Sequence, residues 1–439
     1  MIIGRQLATY RNLAPTRLAS SRATGPVDVY QPAGPSRPVL PPSPHQTALA
    51  AAIPGLFGPA GLLLPDSEGR IGHLALQFGN REFDKPLPEV ARKAVLGVYR
   101  KLLTNMHPET KFTIVAADAR GVEDLKKLVD DTGIANPQRV KIVGLDSEQG
   151  FSIWIRDSML PVWSDQGTRV LVQDRTYFAG PDEQAVPFNL PVQAEAHPGL
   201  RLDGGNILSN RHQLIVGLDS VEHTAARLRE LVGGDRNWNE LAVKLFEHEF
   251  GKPALVVGQD DPNTPEVETQ PAFHIDMVAT PIGDENFMVG DPGLASRVLA
   301  DLGADERQQV SQKMAAAAGL DPSRDLVGEL IAENRGHQAN FDNLARELSP
   351  HYEVERIPCL LGQRFTHSLP YLTYNNCIME VYDDVKKVYL PQYDCEPLDR
   401  LARQAYERHG FEVVPLAMAA ITVLEGAIRC SSYALERHL

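Results

Sequence analysis

Five polar side chains of types that can act together in one reaction occur in four short segments of the sequence. Asp157 closes the segment WIRD, and Asp203 begins the segment DGGN. His274 and Asp276 are the first and third residues of HID, where alternation along a strand would put both side chains on one face. Cys430 lies in the segment GAIRCS. Each segment falls at an end of a predicted strand, where a fold can bring such groups together.

The chemistry that this set could perform is addition to the carbon of a guanidinium group. Carboxylates bind a planar guanidinium through paired, charge-assisted hydrogen bonds, so three aspartates suit such a substrate. A cysteine thiolate can attack the central carbon, while an imidazole protonates the leaving nitrogen and later activates water. A cationic substrate also lowers the pKa of a neighbouring thiol, as any nearby positive charge does.

Each segment also has a purely structural explanation when it is taken alone. Asp157 can pair with Arg156 or cap a turn, and DGGN can form an ordinary hairpin turn. A His-x-Asp pair is commonly a structural hydrogen-bonded pair, and a single cysteine is commonly a small apolar core residue. The occurrence of all four segments in one chain, rather than any single segment, favours an active site.

The elements that position these residues are predicted from hydrophobic periodicity. Strands and helices alternate over most of the chain, which indicates an α/β fold. The start of the chain differs: residues 1–27 contain four arginines and no acid, and residues 32–44 contain six prolines. We therefore expect a flexible, basic and Pro-rich leader over residues 1–66. A catalytic α/β domain is expected over residues 67–439, with a helical insertion at about 305–347.

The four segments, in this order, resemble motifs of the guanidino-modifying (pentein) superfamily of deiminases and amidinotransferases. WIRD and HIDM are similar to agmatine and protein-arginine deiminase motifs, whereas the residues before Cys430 are closer to those of arginine deiminases. Residues 371–376 and 388–393 resemble a strand pair that agmatine deiminases carry before their last motif. The resemblance runs from about residue 70 to the end of the sequence. It implies a five-bladed α/β propeller built from ββαβ modules.

The resemblance also implies a role for each of the five polar residues. Cys430 would be the nucleophile, and His274 would be the general acid and base. Asp157 and Asp276 would bind the guanidinium. Asp203 stands where many members have glutamate, and it would orient the histidine or contact the substrate.

Four further residues are candidates for substrate binding because they lie in the same motifs: Trp154, Arg156, Asn206 and Arg429. Arg429 replaces the histidine that precedes the cysteine in agmatine and protein-arginine deiminases. Glu425 stands where the first glycine of the usual pair occurs, a departure that stiffens the loop. These differences leave open which member of the superfamily the chain resembles most.

The implied reaction has two steps and needs no metal ion or organic cofactor. The Cys430 thiolate adds to the guanidinium carbon, and ammonia leaves with a proton from His274. Water that His274 deprotonates then hydrolyses the S-alkyl thiouronium and leaves a ureido product. Free arginine, agmatine and the arginine side chain of a protein present the same head group, so all three remain candidate substrates.

Three other functions remain open on the sequence. An amidinotransferase of the same superfamily would pass the amidino group on Cys430 to an amine instead of water. A non-catalytic relative would only bind arginine side chains of a partner protein. An Fe(II)/oxoacid dioxygenase would use His274, Asp276 and His337 as iron ligands, with Arg346 holding the oxoacid. The dioxygenase leaves Cys430 without a role.

Composition narrows the choice of partners and compartment. The 439 residues contain 43 Lys and Arg against 57 Asp and Glu, and this net charge of −14 disfavours nucleic acid as a partner. A negative protein suits a cationic substrate, although an acidic surface that only aids solubility is the simpler explanation. No apolar run reaches the roughly 18 residues of a membrane span. Four cysteines without a CxxC pair indicate a reducing, cytoplasmic location, unless the leader directs export or targeting. The oligomeric state is not predicted.

Overall fold

The computed structural model describes residues 44–439 except residues 54, 60, 83–84, 174–180, 202, 260–269, 364–365 and 367. Within these residues the strands are, in chain order, β1 (Arg70–Phe78), β2 (Arg81–Glu82), β3 (Lys85–Pro86), β4 (Lys111–Ala116), β5 (Val140–Gly144), β6 (Met159–Ser164), β7 (Gly167–Gln173), β8 (Gln193–His197), β9 (Ile207–Ser209), β10 (Leu214–Gly217), β11 (Ala254–Val257), β12 (Ala279–Ile282), β13 (Asn286–Asp291), β14 (Glu353–Leu360), β15 (Leu372–Thr373), β16 (Ile378–Tyr382), β17 (Val385–Gln392), β18 (Glu412–Ala417) and β19 (Ser432–His438).

The α-helices are α1 (Pro44–Ala52), α2 (Glu89–Asn105), α3 (Ala119–Thr132), α4 (Pro181–Ala185), α5 (Leu218–Val232), α6 (Trp238–Phe250), α7 (Pro292–Ala300), α8 (Ala304–Ala318), α9 (Leu326–Glu333), α10 (Gln338–Leu348), α11 (Glu396–Arg408) and α12 (Ala419–Thr422). The predicted α/β class is confirmed. None of the helices in the described part of the chain is long and apolar enough to cross a lipid bilayer.

Five sheets of three or four strands, counted over the described residues, share one plan. In each sheet an antiparallel pair is joined by a third strand that runs parallel to the second strand of the pair. The antiparallel pairs are β6–β7, β9–β10, β12–β13, β16–β17 and β19–β1. The parallel partners are β8, β11, β14, β18 and β4. This ββαβ order agrees with the predicted modules, whereas the arrangement of the sheets as five blades around one axis stays a prediction.

Helix α3 illustrates how local sequence sets the ends of an element. The Asp118 side chain accepts a hydrogen bond from the backbone N–H of Gly121 at 2.7 Å, which satisfies one free donor of the first turn. The helix ends at Gly133, whose φ of 61° lies in the left-handed region that glycine adopts without steric cost. Leu125 and Leu128 are buried on the face toward the sheet. The capping residues and the apolar face therefore specify this helix together.

Three of the candidate segments fold differently from the predicted strand ends. They form single 3₁₀ turns directly before a strand, namely Ile155–Ser158 before β6, Gly204–Asn206 before β9 and Ile275–Met277 before β12. The prediction that alternation along a strand aligns the two polar residues of HID is therefore wrong. The backbone N–H of Ile275 donates to the side-chain oxygen of Asn206 at 3.1 Å, so a side chain replaces the sheet partner there.

Ordered structure begins before the predicted boundary at residue 66. Leu49, Leu56 and Leu63 are buried in the core, and Leu62 forms a β-bridge with Trp163. The apolar residues of this stretch are what the prediction of a flexible leader undervalued. The part of the predicted leader over residues 1–43 lies outside the described residues. The predicted helical insertion corresponds in position to α8, α9 and α10, which lie between the parallel strands β13 and β14.

The apolar core consists of two large clusters, and the candidate segments contribute residues to both. Ile275 and Ile428 belong to the first cluster, and Ile155 and Ile207 belong to the second. All four side chains are inaccessible to solvent. Burial of such a side chain stabilises the fold by roughly 1.5–3 kcal/mol. The apolar neighbours therefore anchor the backbone on which each polar candidate is carried.

Candidate active site

A buried cluster of three reactive side chains lies where the candidate segments meet. An imidazole nitrogen of His274, a carboxylate oxygen of Asp276 and the sulfur of Cys430 all lie within 4.8 Å of one another. The three residues are at most 2% exposed. The Nε2 atom of His274 lies 3.5 Å from Oδ2 of Asp203. Buried Asp157 interacts electrostatically with the same histidine. The structure thus brings together the five side chains on which the predicted chemistry depends.

The repeated plan of the sheets explains why residues far apart in sequence meet. Asp157, Asn206, Asp276, Asn376 and Cys430 each lie within a few residues before the first strand of an antiparallel pair. The five strands concerned are β6, β9, β12, β16 and β19. The same position in each of the five sheets therefore supplies one polar residue. Asn376 is the one among them that was not a predicted site residue.

Asn376 holds the loop that carries the candidate nucleophile. Its Nδ2 donates to the sulfur of Cys430 at 3.1 Å. Its Oδ1 accepts from the backbone N–H groups of Arg429 and Cys430, at 2.9 and 3.2 Å. Asn376 is fully buried, so these bonds form without competition from water. The sequence signal was its place in the segment 371–376, which resembles part of agmatine deiminases, but an amide has no reactivity of its own that would single it out.

Two glycines allow the close approach of the histidine segment. A Cβ atom at Gly205 would lie 2.5 Å from Nδ1 of His274 and 3.2 Å from Oδ1 of Asp276. A Cβ atom at Gly204 would lie 2.5 Å from the carbonyl oxygen of Arg156. Real Cβ atoms do not approach other atoms so closely, so both positions need glycine. The segment DGGN therefore serves close packing of the site rather than a hairpin turn.

Burial and neighbouring groups have opposing effects on the pKa values of His274 and Cys430. Burial alone lowers the pKa of His274, but the close approach of Asp203 and Cys430 to its ring raises that pKa well above its usual value. Burial raises the pKa of Cys430, nearby Asp276 raises it further, and His274 opposes both effects. These directions favour a protonated imidazole beside a neutral thiol in the free protein.

The carboxyl group of Asp157 is strongly perturbed. Burial raises the pKa of Asp157 to about 8, against the opposing attraction of His274. Asp203 and Glu183 raise the pKa further by like-charge repulsion. A cation placed between these carboxylates would reverse the shift, because an opposite charge favours the ionised form. The site is therefore electrostatically suited to a positively charged ligand.

The guanidinium of Arg429 is held by two aspartates. Its Nη1 lies 2.6 Å from Oδ2 of Asp276, and its Nη2 lies 2.8 Å from Oδ1 of Asp66. Nη2 also donates to the carbonyl oxygen of Ile207 at 2.9 Å. Arg429 therefore orients one side of Asp276, while buried Oδ1 of Asp276 has no hydrogen-bond partner among the residues described. Asp66 was missed because it falls in the predicted leader.

The remaining substrate-binding candidates make contacts within the protein. The indole N–H of Trp154 donates to Glu82 at 3.1 Å, and Nε of Arg156 donates to the carbonyl oxygen of Arg429 at 2.7 Å. Asn206 accepts from Ile275 and exchanges hydrogen bonds with Gln270. These contacts position the site segments, and a contact of Trp154, Arg156, Asn206 or Arg429 with substrate stays a prediction.

The same cluster offers the one set of donors in the described part of the chain that could hold a metal ion. Nitrogen, oxygen and sulfur donors from His274, Asp276 and Cys430 would suit a zinc-like ion better than iron. His337, which the dioxygenase alternative requires, lies at the start of α10 and does not belong to this set. The geometry therefore gives that alternative no second histidine.

Comparison of the structure with solved structures finds proteins of the same fold, whereas comparison of the sequence with known families and curated proteins finds no match. No protein-family sequence model matches the chain, and no curated protein sequence matches it. A solved structure assigned as an agmatine deiminase gives a TM-score of 0.59 at 14% identity, and the match covers 87% of this chain and 97% of the other.

Two further solved structures give the same result. A structure assigned as a peptidyl-arginine deiminase gives a TM-score of 0.57 at 15% identity, covering 86% of this chain and 99% of the other. An agmatine deiminase of Enterococcus faecalis gives 0.54 at 12% identity, covering 87% and 97%. At these identities the likeness establishes the fold. The likeness in fold that the sequence motifs predict is thereby confirmed, and the chain has the fold of these solved structures.

Proposed function

We propose that this protein is a deiminase, a hydrolase that acts on the C–N bond of a guanidino group and releases ammonia. The observation that carries the proposal is the buried cluster of His274, Asp276 and Cys430, with ligand atoms within 4.8 Å. Support comes from solved structures of the same fold, which are named as agmatine and peptidyl-arginine deiminases. The shared ββαβ plan of the sheets also supports the propeller arrangement, which we propose for the fold.

Binding of the guanidinium is the first task of the site. Asp157 and Asp276 would accept its N–H groups, and Oδ1 of Asp276 is the buried acceptor left for this purpose. Arg429 keeps the second oxygen of Asp276 in place. The positive charge of the substrate would lower the pKa values of Asp157 and Cys430, which burial raises in the free protein.

The covalent step follows when Cys430 has lost its proton. The thiolate adds to the guanidinium carbon, and the tetrahedral adduct takes a proton from the imidazolium of His274 on one nitrogen. The C–N bond breaks, ammonia leaves, and an S-alkyl thiouronium remains on the sulfur. The raised pKa of His274 supports this step, because the ring already holds the proton that the leaving group needs.

Hydrolysis returns the site to its starting state. Neutral His274 takes a proton from water, and the hydroxide adds to the thiouronium carbon. The C–S bond then breaks, and the departing thiolate takes up the hydroxyl proton of the adduct, which leaves a neutral ureido product and restores the thiol. The overall reaction consumes one water and releases one ammonia for each guanidino group. An amidinotransferase would use the same residues with an amine in place of water.

The proposal is tested by measuring ammonia and ureido product with free arginine, agmatine and an arginine peptide. We expect equal amounts of both products from at least one of them. Cys430→Ala is expected to lower the rate by about 10³-fold or more. Cys395→Ala, a second buried cysteine outside the site, is the matched control and is expected to keep the activity.

Each other result has a defined meaning. Ammonia release by Cys430→Ala at the wild-type rate would refute the mechanism. Product that appears only when a primary amine is added would identify an amidinotransferase. Binding of the arginine peptide without ammonia release would identify the non-catalytic relative.

A further inference from the structure

Four charged side chains beside the candidate site form an electrically balanced group. Arg156 and Arg429 are its cations, and Asp66 and Asp276 are the anions that act on both of them. Arg156, Arg429 and Asp276 are at most 5% exposed, and the side chain of Asp66 is 19% exposed. Charges removed from water act on one another more strongly than surface charges do. The balance within this group therefore bears directly on the site.

The position of Asp66 is fixed at its backbone and at both carboxylate oxygens. Its backbone N–H donates to the carbonyl oxygen of Ser209 at 2.8 Å, and the backbone N–H of Ser209 donates to Oδ2 at 2.9 Å. The carbonyl oxygen of Asp66 accepts from Arg437 at 2.7 Å. Oδ1 accepts from Nε and Nη2 of Arg429, at 3.2 and 2.8 Å. Asp66 therefore meets Arg429 in one defined geometry.

The carboxyl group of Asp66 is held in its ionised form. Burial opposes ionisation, but Arg429 and Arg156 hold the pKa of this carboxyl below its usual value. Arg437 and Lys252 are further cations on which Asp66 acts. Asp66 thus supplies a full negative charge to one side of Arg429.

The other side of Arg429 faces the residue that is proposed to bind the substrate. Its Nη1 donates to Oδ2 of Asp276 at 2.6 Å, and Arg429 directly precedes Cys430 in the chain. If Asp276 were the single counter-ion of Arg429, its charge would be spent within the protein. The positive charge of Arg429 would then repel a cationic substrate.

We propose that Asp66 is the counter-ion that offsets Arg429 and leaves the charge of Asp276 available to a cation, so that Asp66 sets the charge of the substrate that the site accepts. Asp66 acts through Arg429 and is therefore a positioning residue. This inference deepens the proposed function and rests on it for the identity of the cation, a guanidinium.

Alkylation of Cys430 in the full chain measures the charge preference of the site without turnover. Chloroacetamidine is positively charged, and chloroacetamide is a neutral reagent of the same shape. The ratio of their rates at one pH cancels changes in the reactivity of the free thiol. We expect Asp66→Asn to lower this ratio about fivefold, because one negative charge beside the site is lost. An unchanged ratio, or a wild-type ratio of one, would overturn the proposal.

Two variants separate charge from stability. Asp399→Asn is the matched control, because it makes the same exchange at a buried aspartate that accepts from Tyr374, and the ratio should equal that of wild type. Asp66→Glu keeps the charge and should keep most of the ratio. An equal loss of the ratio in Asp399→Asn would show that stability controls it and would overturn the proposal.

Two further variants keep the test decisive if Asp66→Asn does not fold. Arg429→Gln removes a positive charge, so the ratio should rise above that of wild type. The double variant Asp66→Asn/Arg429→Gln loses one charge of each sign, so its ratio should return close to the wild-type value. A lower ratio in Arg429→Gln, or a ratio in the double variant about fivefold below wild type, would contradict the role of Asp66.

Ammonia release separates this inference from the proposed function. In the active protein, Asp66→Asn should raise KM for the guanidino substrate about tenfold and change kcat less, because Asp66 acts on binding of the cation. A lowered alkylation ratio in a protein that releases no ammonia would refute the deiminase and leave the role of Asp66 supported. Ammonia release with an unchanged ratio, or a loss confined to kcat, would refute the role of Asp66 alone.

Discussion

Two buried polar clusters in this molecule are built from similar groups and differ in one respect. Asp399 accepts from the hydroxyl of Tyr374 at 2.7 Å and from the backbone N–H groups of Tyr393 and Cys395, at 3.1 and 3.0 Å. At the candidate active site, Oδ1 of Asp276 is buried and has no such partner in the described part of the protein. The first cluster is closed on itself, and the second leaves an acceptor open.

The presence of an unpaired buried acceptor distinguishes a candidate functional cluster from a structural cluster better than the degree of burial does. A saturated polar network fixes one conformation, whereas an unsatisfied buried group costs free energy unless a ligand completes it. Cys395 and Cys430 are both buried and both have raised pKa values because of burial. Only Cys430 also has an imidazole that lowers its pKa and an amide that donates to its sulfur. The neighbours of a cysteine, not its burial, therefore mark the candidate nucleophile.

The largest expected loss of activity comes from disturbing the packing of the candidate active site. Gly205→Ala would push a Cβ atom to 2.5 Å from Nδ1 of His274, so the ring must move. A displacement of about 1 Å in an active site can cost about 10²-fold in rate, and we expect a loss of that size in ammonia release. Gly97→Ala is the control, because no atom lies within 4 Å of its added Cβ. It should retain activity and stabilise α2 by about 0.5–1 kcal/mol. Full activity of Gly205→Ala would contradict the required close approach.

Replacing Asp399 or Asp157 by asparagine should change the free energy of unfolding in opposite directions. Asp399→Asn cannot accept from both backbone N–H groups, and we expect the free energy of unfolding to fall by about 1–3 kcal/mol. The folded-state pKa of Asp157 is raised to about 8, above an unfolded value of about 4. The contribution of the protonated Asp157 carboxyl group to the free energy of unfolding is therefore fully present below pH about 4 and is lost as the pH rises through about 8.

Asp157→Asn removes that loss, so the variant should be more stable than wild type at about pH 9 by about 1–3 kcal/mol while losing activity. Urea unfolding of wild type and both variants, at this pH and at about pH 5, measures the two shifts. Destabilisation of Asp157→Asn at the higher pH would show that its carboxylate is a structural group like that of Asp399.

The amide next to the sulfur gives a smaller effect with a distinct signature. Asn376→Asp keeps the acceptor for the N–H groups of Arg429 and Cys430 but replaces the donor to the sulfur by a negative oxygen. This raises the thiol pKa further, so we expect a rate about tenfold lower at neutral pH and a pH–rate profile displaced to higher pH. A rate loss without displacement of the profile would indicate that Asn376 only supports the loop.

The smallest expected effect is a difference between two alkylating reagents. Chloroacetamide, which is neutral, should react with Cys430 at a rate that rises with pH beyond the usual cysteine pKa of about 8.5. Chloroacetamidine carries a positive charge, which lowers the thiol pKa, and should react several-fold faster at neutral pH. Mass spectrometry of the labelled protein measures both rates. The buried cysteines Cys359, Cys377 and Cys395 should stay unlabelled. Equal rates for both reagents would remove the argument for a cation site.

The sequence predicted which reactive residues meet better than it predicted how they meet. Cys430, His274 and Asp276 were expected together because their types suit one reaction, and chemistry constrains residue type strongly. Their backbone conformations were not expected, since the backbone N–H at the start of the 3₁₀ turn over Ile275–Met277 donates to the side chain of Asn206, in the segment before β9. Residue periodicity carries no information on such a partner.

Two supporting residues escaped prediction for physical reasons. Asp66 acts by pairing with Arg429, a residue 363 positions away, and nothing local distinguishes it from a loop acid. Asn376 acts through neutral hydrogen bonds to Cys430 and Arg429, and such bonds leave no charge pattern in the sequence.

The pairing of β19 with β1 has a consequence for biosynthesis. Leu76 in the earliest strand of its sheet pairs with Ser432, two residues after Cys430, and Arg437 donates to the backbone of Asp66 across 371 positions. A ribosome adds about 5–20 residues per second, so the emerging β1 edge waits roughly 20–75 s for its partner. An unpaired edge invites wrong association, so nascent chains should depend on chaperones during this interval. Cys430 is also synthesised after every other residue of the candidate site, so shorter translation products lack the candidate nucleophile.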